Sequence, residues 1–178
     1  LKIVDPITGE ILKRGEQGEI AVKGPTLMIS YLGLPVEECF DAEGFYRTGD
    51  AGWIDDKDRL HFDGRLSTVI KTGGANVSPL EIEKVLEAMP GVKMICCVGV
   101  PDDLLGELVV ACVVPVEGES LAADGIRDFA RERLASYKVP RKIVFLSPEE
   151  IELTSTAKIR HAELRKLAIA KLSSEKNS

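Results

Sequence analysis

The sequence predicts an α+β fold, and three observations carry the prediction. Residues 1–64 are rich in turns and short alternating segments and contain no long helical repeat. From Leu66 onward, strands are interleaved with segments whose apolar residues recur at helical spacing. Two apolar runs, Val92–Val100 and Leu108–Val116, flank an acidic loop from Pro101 to Glu107 and read as an antiparallel pair of buried strands. The expected architecture is a small C-terminal domain, a short β-sheet flanked by helices, preceded by a β-rich segment.

In chain order, Leu1, Ile3 and Val4 read as a strand entering a turn at Asp5-Pro-Ile-Thr-Gly9, and Gly18–Gly24 alternates like a half-buried strand. Trp53-Ile54 and Leu60-His-Phe62 flank Asp55-Asp-Lys-Asp58, which has the composition of a hairpin turn. Val69-Ile-Lys71 is a short strand. A helix is expected to start at Ser78, with Ser as N-cap, Pro79 at the first helical position and Glu81 completing a capping box. Ile82, Val85, Leu86 and Met89 then repeat at helical spacing, and Pro90-Gly91 ends the helix. A second helix runs from about Ala123 to Leu134, with Ile126, Phe129, Ala130 and Leu134 inward. Lys142–Leu146 reads as a strand, Ser147-Pro148 as a turn, and His161–Leu172 as a last helix with Leu164, Leu167, Ala168 and Leu172 on one face. Ser173–Ser178 reads as a disordered tail.

Composition narrows the function. A chain of 178 residues makes one ordinary domain or two small ones. The apolar content is 44% and the mean hydropathy +0.03, as for a folded soluble chain. No apolar run approaches the roughly 20 residues of a transmembrane helix, so no transmembrane segment is expected. The net charge of −6 speaks against a nucleic-acid partner, although residues 157–178 carry six basic and two acidic side chains. The four cysteines, Cys39, Cys96, Cys97 and Cys112, lie in apolar contexts without metal-ligand spacing and read as buried reduced thiols of a cytoplasmic protein. His61 and His161 have no partner spacing for a triad or a metal site. Leu1 is an unusual first residue, and the chain is expected to be a piece of something larger.

Three stretches carry polar residues that folding alone does not require. Tyr46-Arg-Thr-Gly-Asp50 reads as a loop whose carboxylate can accept two hydrogen bonds from a vicinal diol. In Gly64 to Glu83, the pair Gly73-Gly74 lets backbone approach a ligand closely, or forms a simple hairpin bend. Leu153-Thr-Ser-Thr-Ala-Lys-Ile159 is hydroxyl-rich and holds Lys158 just ahead of the last helix. A cation there opposes the helix macrodipole and gains nothing unless an anion joins it.

The order Tyr46-Arg-Thr-Gly-Asp50, Gly64-Arg65, Ile70-Lys71-Thr-Gly-Gly74, Glu81-Ile-Glu83 and Thr154-Ser-Thr-Ala-Lys158-Ile resembles the C-terminal third of the adenylate-forming enzymes. These are the acyl-CoA synthetases, aryl-CoA ligases, luciferases and peptide-synthetase adenylation domains, and Tyr137-Lys-Val-Pro140 is similar to the family as well. The resemblance implies that residues 1–64 are the β-rich, barrel-like end of a large N-terminal AMP-binding domain, and 65–178 the mobile C-terminal domain. It implies ATP, Mg²⁺ and CoA as cofactors and a carboxylic acid as substrate, fatty or otherwise apolar. The large N-terminal domain of the same parent chain is the implied partner.

By the same resemblance, Asp50 holds both ribose hydroxyls of AMP, Arg65 contacts ribose or phosphate, and Lys158 is the catalytic Lys that reaches the α-phosphate and the substrate carboxylate. Gly73 and Gly74 line the pantetheine path, and Lys71 and Asn76 assist the later, thioester-forming step. Ser67 occupies the hinge, where the family usually has Asp or Lys. Ala157 replaces the Gly before the catalytic Lys, and Glu152 stands where a Pro is expected. The phosphate loop and acyl pocket of the family have no counterpart in this sequence, so the chain alone is expected to be inactive. The rival readings are a non-catalytic interaction or regulatory module, and an adenylation domain of the peptide-synthetase or luciferase-like kind.

Overall fold

Asp5 closes the first turn by accepting the amides of Ile7 and Thr8 at 2.8 and 2.7 Å, and the chain then doubles back on itself. The computed structural model describes residues 1–151 and 160–175, and the chain divides into two units, Leu1–Ser67 and Thr68–Ser178.

The first unit is an antiparallel meander of β1 (Lys2–Val4), β2 (Gly18–Val22), β3 (Tyr46–Ile54) and β4 (Leu60–Arg65), with one short helix, α1 (Val36–Cys39), before β3. Ile3, Val4, Ile20, Ala21, Cys39 and Ala51 form its buried interior. The β3–β4 hairpin turns at Asp55–Asp58, where the Asp55 carboxylate accepts the amides of Lys57 and Arg59, both at 2.9 Å, and Asp58 adopts φ +60°. Tyr46–Asp50, expected as a loop, is the first half of β3. Its polar residues can lie in a strand because β2 supplies partners. The buried Glu19 carboxylate pairs with Arg47 and accepts the Gly49 amide at 2.9 Å, and Thr48 donates to the Ile20 carbonyl at 2.7 Å. The β2–β3 register shifts between Glu19 and Ala21, which lets Glu19 reach both.

The second unit contains β5 (Ile70–Thr72), β6 (Ala75–Val77), α2 (Pro79–Leu86), β7 (Val92–Asp102), β8 (Gly106–Pro115), α3 (Ala123–Arg131), β9 (Lys142–Phe145) and α4 (His161–Glu175). Strand β8 organises the sheet. It pairs antiparallel with β7 along its length, meets β5 at Gly106, and runs parallel to β9 over Val110–Val113. Both of its faces are buried. Val109, Ala111 and Val113 pack with Ile82, Leu86, Ile126 and Ala130 of α2 and α3, while Val110, Cys112 and Val114 pack with Leu164 and Ala168 of α4. A strand covered on both sides has no reason to alternate, hence the unbroken apolar run.

Four local expectations need correction. Ser78 precedes α2 but makes no side-chain capping bond, and the Glu81 carboxylate that would complete the box is taken by Lys138 Nζ at 2.6 and 2.7 Å. The acidic loop shrinks to Asp103–Leu105, because Asp102 accepts the amides of Leu104 and Leu105 and the flanking strands extend to it. Helix α3 stops at Arg131, short of Leu134. Helix α4 runs to Glu175, so Ser173 and Ser174 are helical and donate back to the carbonyls of Ile169 and Lys171. Among the described residues no helix is long and apolar enough to cross a membrane. All four cysteines are buried and free.

Candidate functional site

In the first unit the site residues are built on the β3–β4 ladder, where Asp50 and Arg65 are direct cross-strand partners. Arg65 Nε lies 2.9 Å from Asp50 Oδ1, and its Nη1 donates to the Thr48 carbonyl at 2.9 Å. Gly49 and Gly64 precede the two residues with φ +71° and +101°, a conformation that favours glycine. Asp50 is further fixed by its own amide, which donates to Thr48 Oγ1 at 3.0 Å. Its side chain remains 28% exposed. A positioned carboxylate with solvent access can accept hydrogen bonds from two adjacent hydroxyls.

Glu19 is the residue that inspection of the sequence passes over. It aligns Arg47 and the Gly49 amide from within β2, and so shapes the backbone that carries Asp50. Its signal is a carboxylate inside Gly18-Glu-Ile-Ala-Val22, a strand otherwise buried along most of its length.

In the second unit, β5 and β6 form a two-residue hairpin with Ile70 opposite Val77, Lys71 opposite Asn76 and Thr72 opposite Ala75. Gly73 and Gly74 are its turn, with φ +56° and +80°, the conformation that a tight hairpin demands at both central positions. A turn therefore accounts for both glycines. A Cβ on Gly74 would meet nothing within 4 Å. Lys71 and Asn76 face each other on the exposed side of the hairpin, while Ile70, Thr72 and Val77 are buried beneath. Ser67 is exposed in a single 3₁₀ turn, Leu66–Thr68. Lys158, with Glu152, Thr154 and Ala157, lies outside the described residues.

Both histidines and the buried cysteines make their contacts within the fold. His61 Nε2 is 3.0 Å from Asp55 Oδ2, and its ring stacks on Trp53 with centroids 4.0 Å apart. The His61 contact and the Arg59 amide hold the Asp55 carboxyl well below the usual range. His161 Nδ1 sits 3.7 Å from Cys96 Sγ. Burial pushes the Cys96 and Cys97 thiols far up and Cys112 to about 12, so none is a ready nucleophile. A cavity of about 400 Å³ in the second unit is lined by Arg127, Arg131, Ser136, Val139, Pro140 and Arg141; Val139 and Pro140 belong to the Tyr137–Pro140 stretch noted in the sequence, and none of the six is a candidate site residue. Among the described residues there is no group of three or more His, Cys, Asp or Glu side chains placed to hold a metal ion.

Residues 81–158 match the AMP-binding enzyme C-terminal domain. The chain is 37% identical to a mitochondrial medium-chain acyl-CoA ligase of Danio rerio and 38% identical to an indoleacetate–CoA ligase of Aromatoleum aromaticum, over 92% of its own length in each case. It is also similar to a 4-coumarate–CoA ligase of Oryza sativa, at 37% identity over 93% of the chain. The chain spans 27–32% of the length of these curated relatives. Among solved structures, ATP-bound MatB from Rhodopseudomonas palustris superposes with a TM-score of 0.85 at 35% identity, covering 94% of this chain and 33% of that one. The o-succinylbenzoate CoA synthetase of Bacillus subtilis, in complex with its acyl-adenylate, gives 0.84 at 32% identity, covering 92% of this chain and 33% of that one. The chain belongs to the adenylate-forming AMP-binding enzymes and carries their C-terminal domain.

Proposed function

We propose that the chain works as the C-terminal part of an ATP-dependent carboxylate–CoA ligase. In the first half-reaction, a carboxylate oxygen attacks the α-phosphorus of ATP, pyrophosphate leaves, and acyl-AMP forms. In the second, the CoA thiolate attacks the acyl carbon, AMP leaves with the bonding electrons, and acyl-CoA forms. The observation that supports this most is the Asp50–Arg65 pair, a carboxylate held at a fixed place with solvent access, in a chain similar to CoA ligases over nearly its whole length.

In this reading Asp50 accepts the two ribose hydroxyls, and Arg65 steadies that carboxylate and reaches toward ribose or phosphate. Lys158 supplies an ammonium where two anions meet and negative charge builds on phosphate oxygens, an electrostatic contribution on the order of 10²–10³ in rate. The Lys71–Asn76 hairpin serves the thioester step, with the Gly73-Gly74 turn presenting backbone free of side chains to the incoming pantetheine. Ser67 marks the hinge between the part that ends in β4 and the part that begins at β5. Among the described residues no cluster of carboxylates is placed to hold Mg²⁺. Four free thiols suit the reducing cytosol.

The chain holds neither the phosphate loop nor the acyl pocket that the reaction needs, so the large N-terminal domain of a longer parent is its working partner. The test is ATP–pyrophosphate exchange and CoA-thioester formation with a panel of apolar and aromatic acids. The parent is expected to perform both, and the 178-residue chain neither. Exchange by the chain alone, or a parent that adenylates no acid, overturns the proposal.

A further inference from the structure

The hairpin that carries Lys71, Gly73, Gly74 and Asn76 is joined to the rest of its sheet by few bonds. Thr72 and Gly106 are the single register pair between β5 and β8, and the Gly73 amide donates to the Leu105 carbonyl at 2.9 Å. Beyond Gly106 the ladder is continued by a side chain. The Glu107 carboxylate accepts the Lys71 amide on Oε2 at 2.9 Å, in the role that a strand carbonyl would otherwise play. Its other oxygen, Oε1, accepts Arg165 Nη2 of α4 at 2.7 Å. One carboxylate thus bonds at once to the hairpin and to the helix that follows the Lys158 segment in the chain.

The surroundings are shaped around this side chain. Glu107 is only 20% exposed, and its carboxylate lies over Gly99 of β7, where a Cβ would come within 2.8 Å of Glu107 Oε2. Gly99 therefore leaves the space that Glu107 occupies. A charge-assisted bond to a backbone amide on one side and to a guanidinium on the other gives the carboxylate little freedom to rotate.

We propose that Glu107 is a positioning residue that ties the Lys71–Asn76 hairpin to α4 and holds the hairpin in place for the thioester-forming step. The step itself rests on the ligase reading above. The tether does not, and the two can be tested apart.

The first experiment uses the full-length parent with Glu107→Ala, Glu107→Gln and Arg165→Ala. Adenylation is followed by ATP–pyrophosphate exchange and the second step by CoA-thioester formation from supplied acyl-AMP. A displacement of about 1 Å at a reacting site costs up to about 10²-fold, so Glu107→Ala should slow thioester formation by roughly 10- to 100-fold while exchange falls by no more than about threefold. Glu107→Gln keeps an oxygen for the Lys71 amide and should recover most of the thioester rate. Arg165→Ala should fall between the two. Equal losses in both half-reactions, or a Gln variant as slow as the Ala variant, overturn the role in the thioester step.

The second experiment needs no ligase activity. Hydrogen–deuterium exchange on the 178-residue chain should show the Lys71 amide opening faster in Glu107→Ala than in the wild type, with Glu107→Gln close to wild type. Unchanged exchange overturns the tether even if the parent is a ligase. Faster exchange in a parent that forms no acyl-AMP upholds the tether and removes the ligase reading.

Discussion

Arg65 stands directly opposite Asp50 across β3 and β4, with Nε 2.9 Å from Oδ1, and the same guanidinium ties the Thr48 carbonyl two residues before Asp50. The contact fixes the direction of a carboxylate whose proposed task is to accept two hydroxyl groups. Hydrogen bonds to a charged group contribute about 1.5–3 kcal/mol each, so Asp50→Ala in the parent should lower kcat/KM for ATP by roughly 10- to 100-fold for each bond lost. Arg65→Ala removes both the orienting partner and its own contact toward ribose or phosphate, so it should also lower kcat/KM for ATP, by roughly 10- to 100-fold. Steady-state kinetics with varied ATP check both, and an Asp50→Ala enzyme with unaltered kcat/KM for ATP removes Asp50 from nucleotide binding.

Lys158 separates the two half-reactions. Its proposed work ends once acyl-AMP exists, because the charge it stabilises is that of the phosphoryl-transfer step. In the parent, Lys158→Ala should depress ATP–pyrophosphate exchange by on the order of 10²–10³ and leave thioester formation from supplied acyl-AMP within a small factor. Equal losses in the two assays would show that Lys158 supports the structure rather than adenylation.

Glu83 makes the stability of the chain depend on pH in a defined sense. Burial pushes its carboxyl above the ordinary 4.5, with Glu87 adding to the rise, while the Cys97 amide at 2.7 Å, the Cys96 thiol and His161 pull it back. The folded chain then binds this proton more tightly than the unfolded chain does. The stabilisation is complete below 4.5 and is lost as pH rises through the folded value. Asp41, Asp55 and Glu150 act oppositely: hydrogen bonds from Lys2, His61 and Lys171 lower their carboxyls, and their contribution is lost as pH falls through those depressed values. Glu83→Gln keeps an acceptor for the Cys97 amide and removes the titration. Urea melts of the 178-residue chain from acid to neutral pH should show the variant gaining on the wild type as pH rises, and a constant difference would contradict the assignment.

The β7–β8 pair and α2 were legible because their signals are local. An apolar run such as Leu108–Val114 needs only coverage on both faces, and Ile82 and Leu86 fall on one side of any helix that starts at Pro79. Tyr46–Asp50 was not legible as a strand, because Glu19, the residue that satisfies its polar groups, lies in a different strand. The Ser78–Glu81 box failed for a similar reason: Lys138, 57 residues away from Glu81, competes for the carboxylate. At the candidate site, Asp50 and Arg65 could each be named from sequence, but their register could not. Glu107 read only as an acidic loop residue, since both groups it bonds are distant along the chain.

Gly52 tests whether the first unit depends on the close approach of β3 to its neighbours. A Cβ there would lie 2.4 Å from the backbone carbonyl of His61 and 2.8 Å from Ile20 Cδ1. The carbonyl belongs to the β4 ladder and cannot step aside without breaking the pairing that also aligns Asp50 with Arg65. Overpacking of this kind costs about 1–3 kcal/mol, so Gly52→Ala should lower the unfolding midpoint of the first unit. The measurement is convenient because the chain has one tryptophan, Trp53, stacked on His61 in the same strand pair. Its fluorescence reports this unit, and the midpoint should move to lower denaturant in the variant. An unshifted Trp53 transition would mean that β3 and β4 can separate by an ångström without loss, and that the Asp50–Arg65 geometry is softer than the ladder implies.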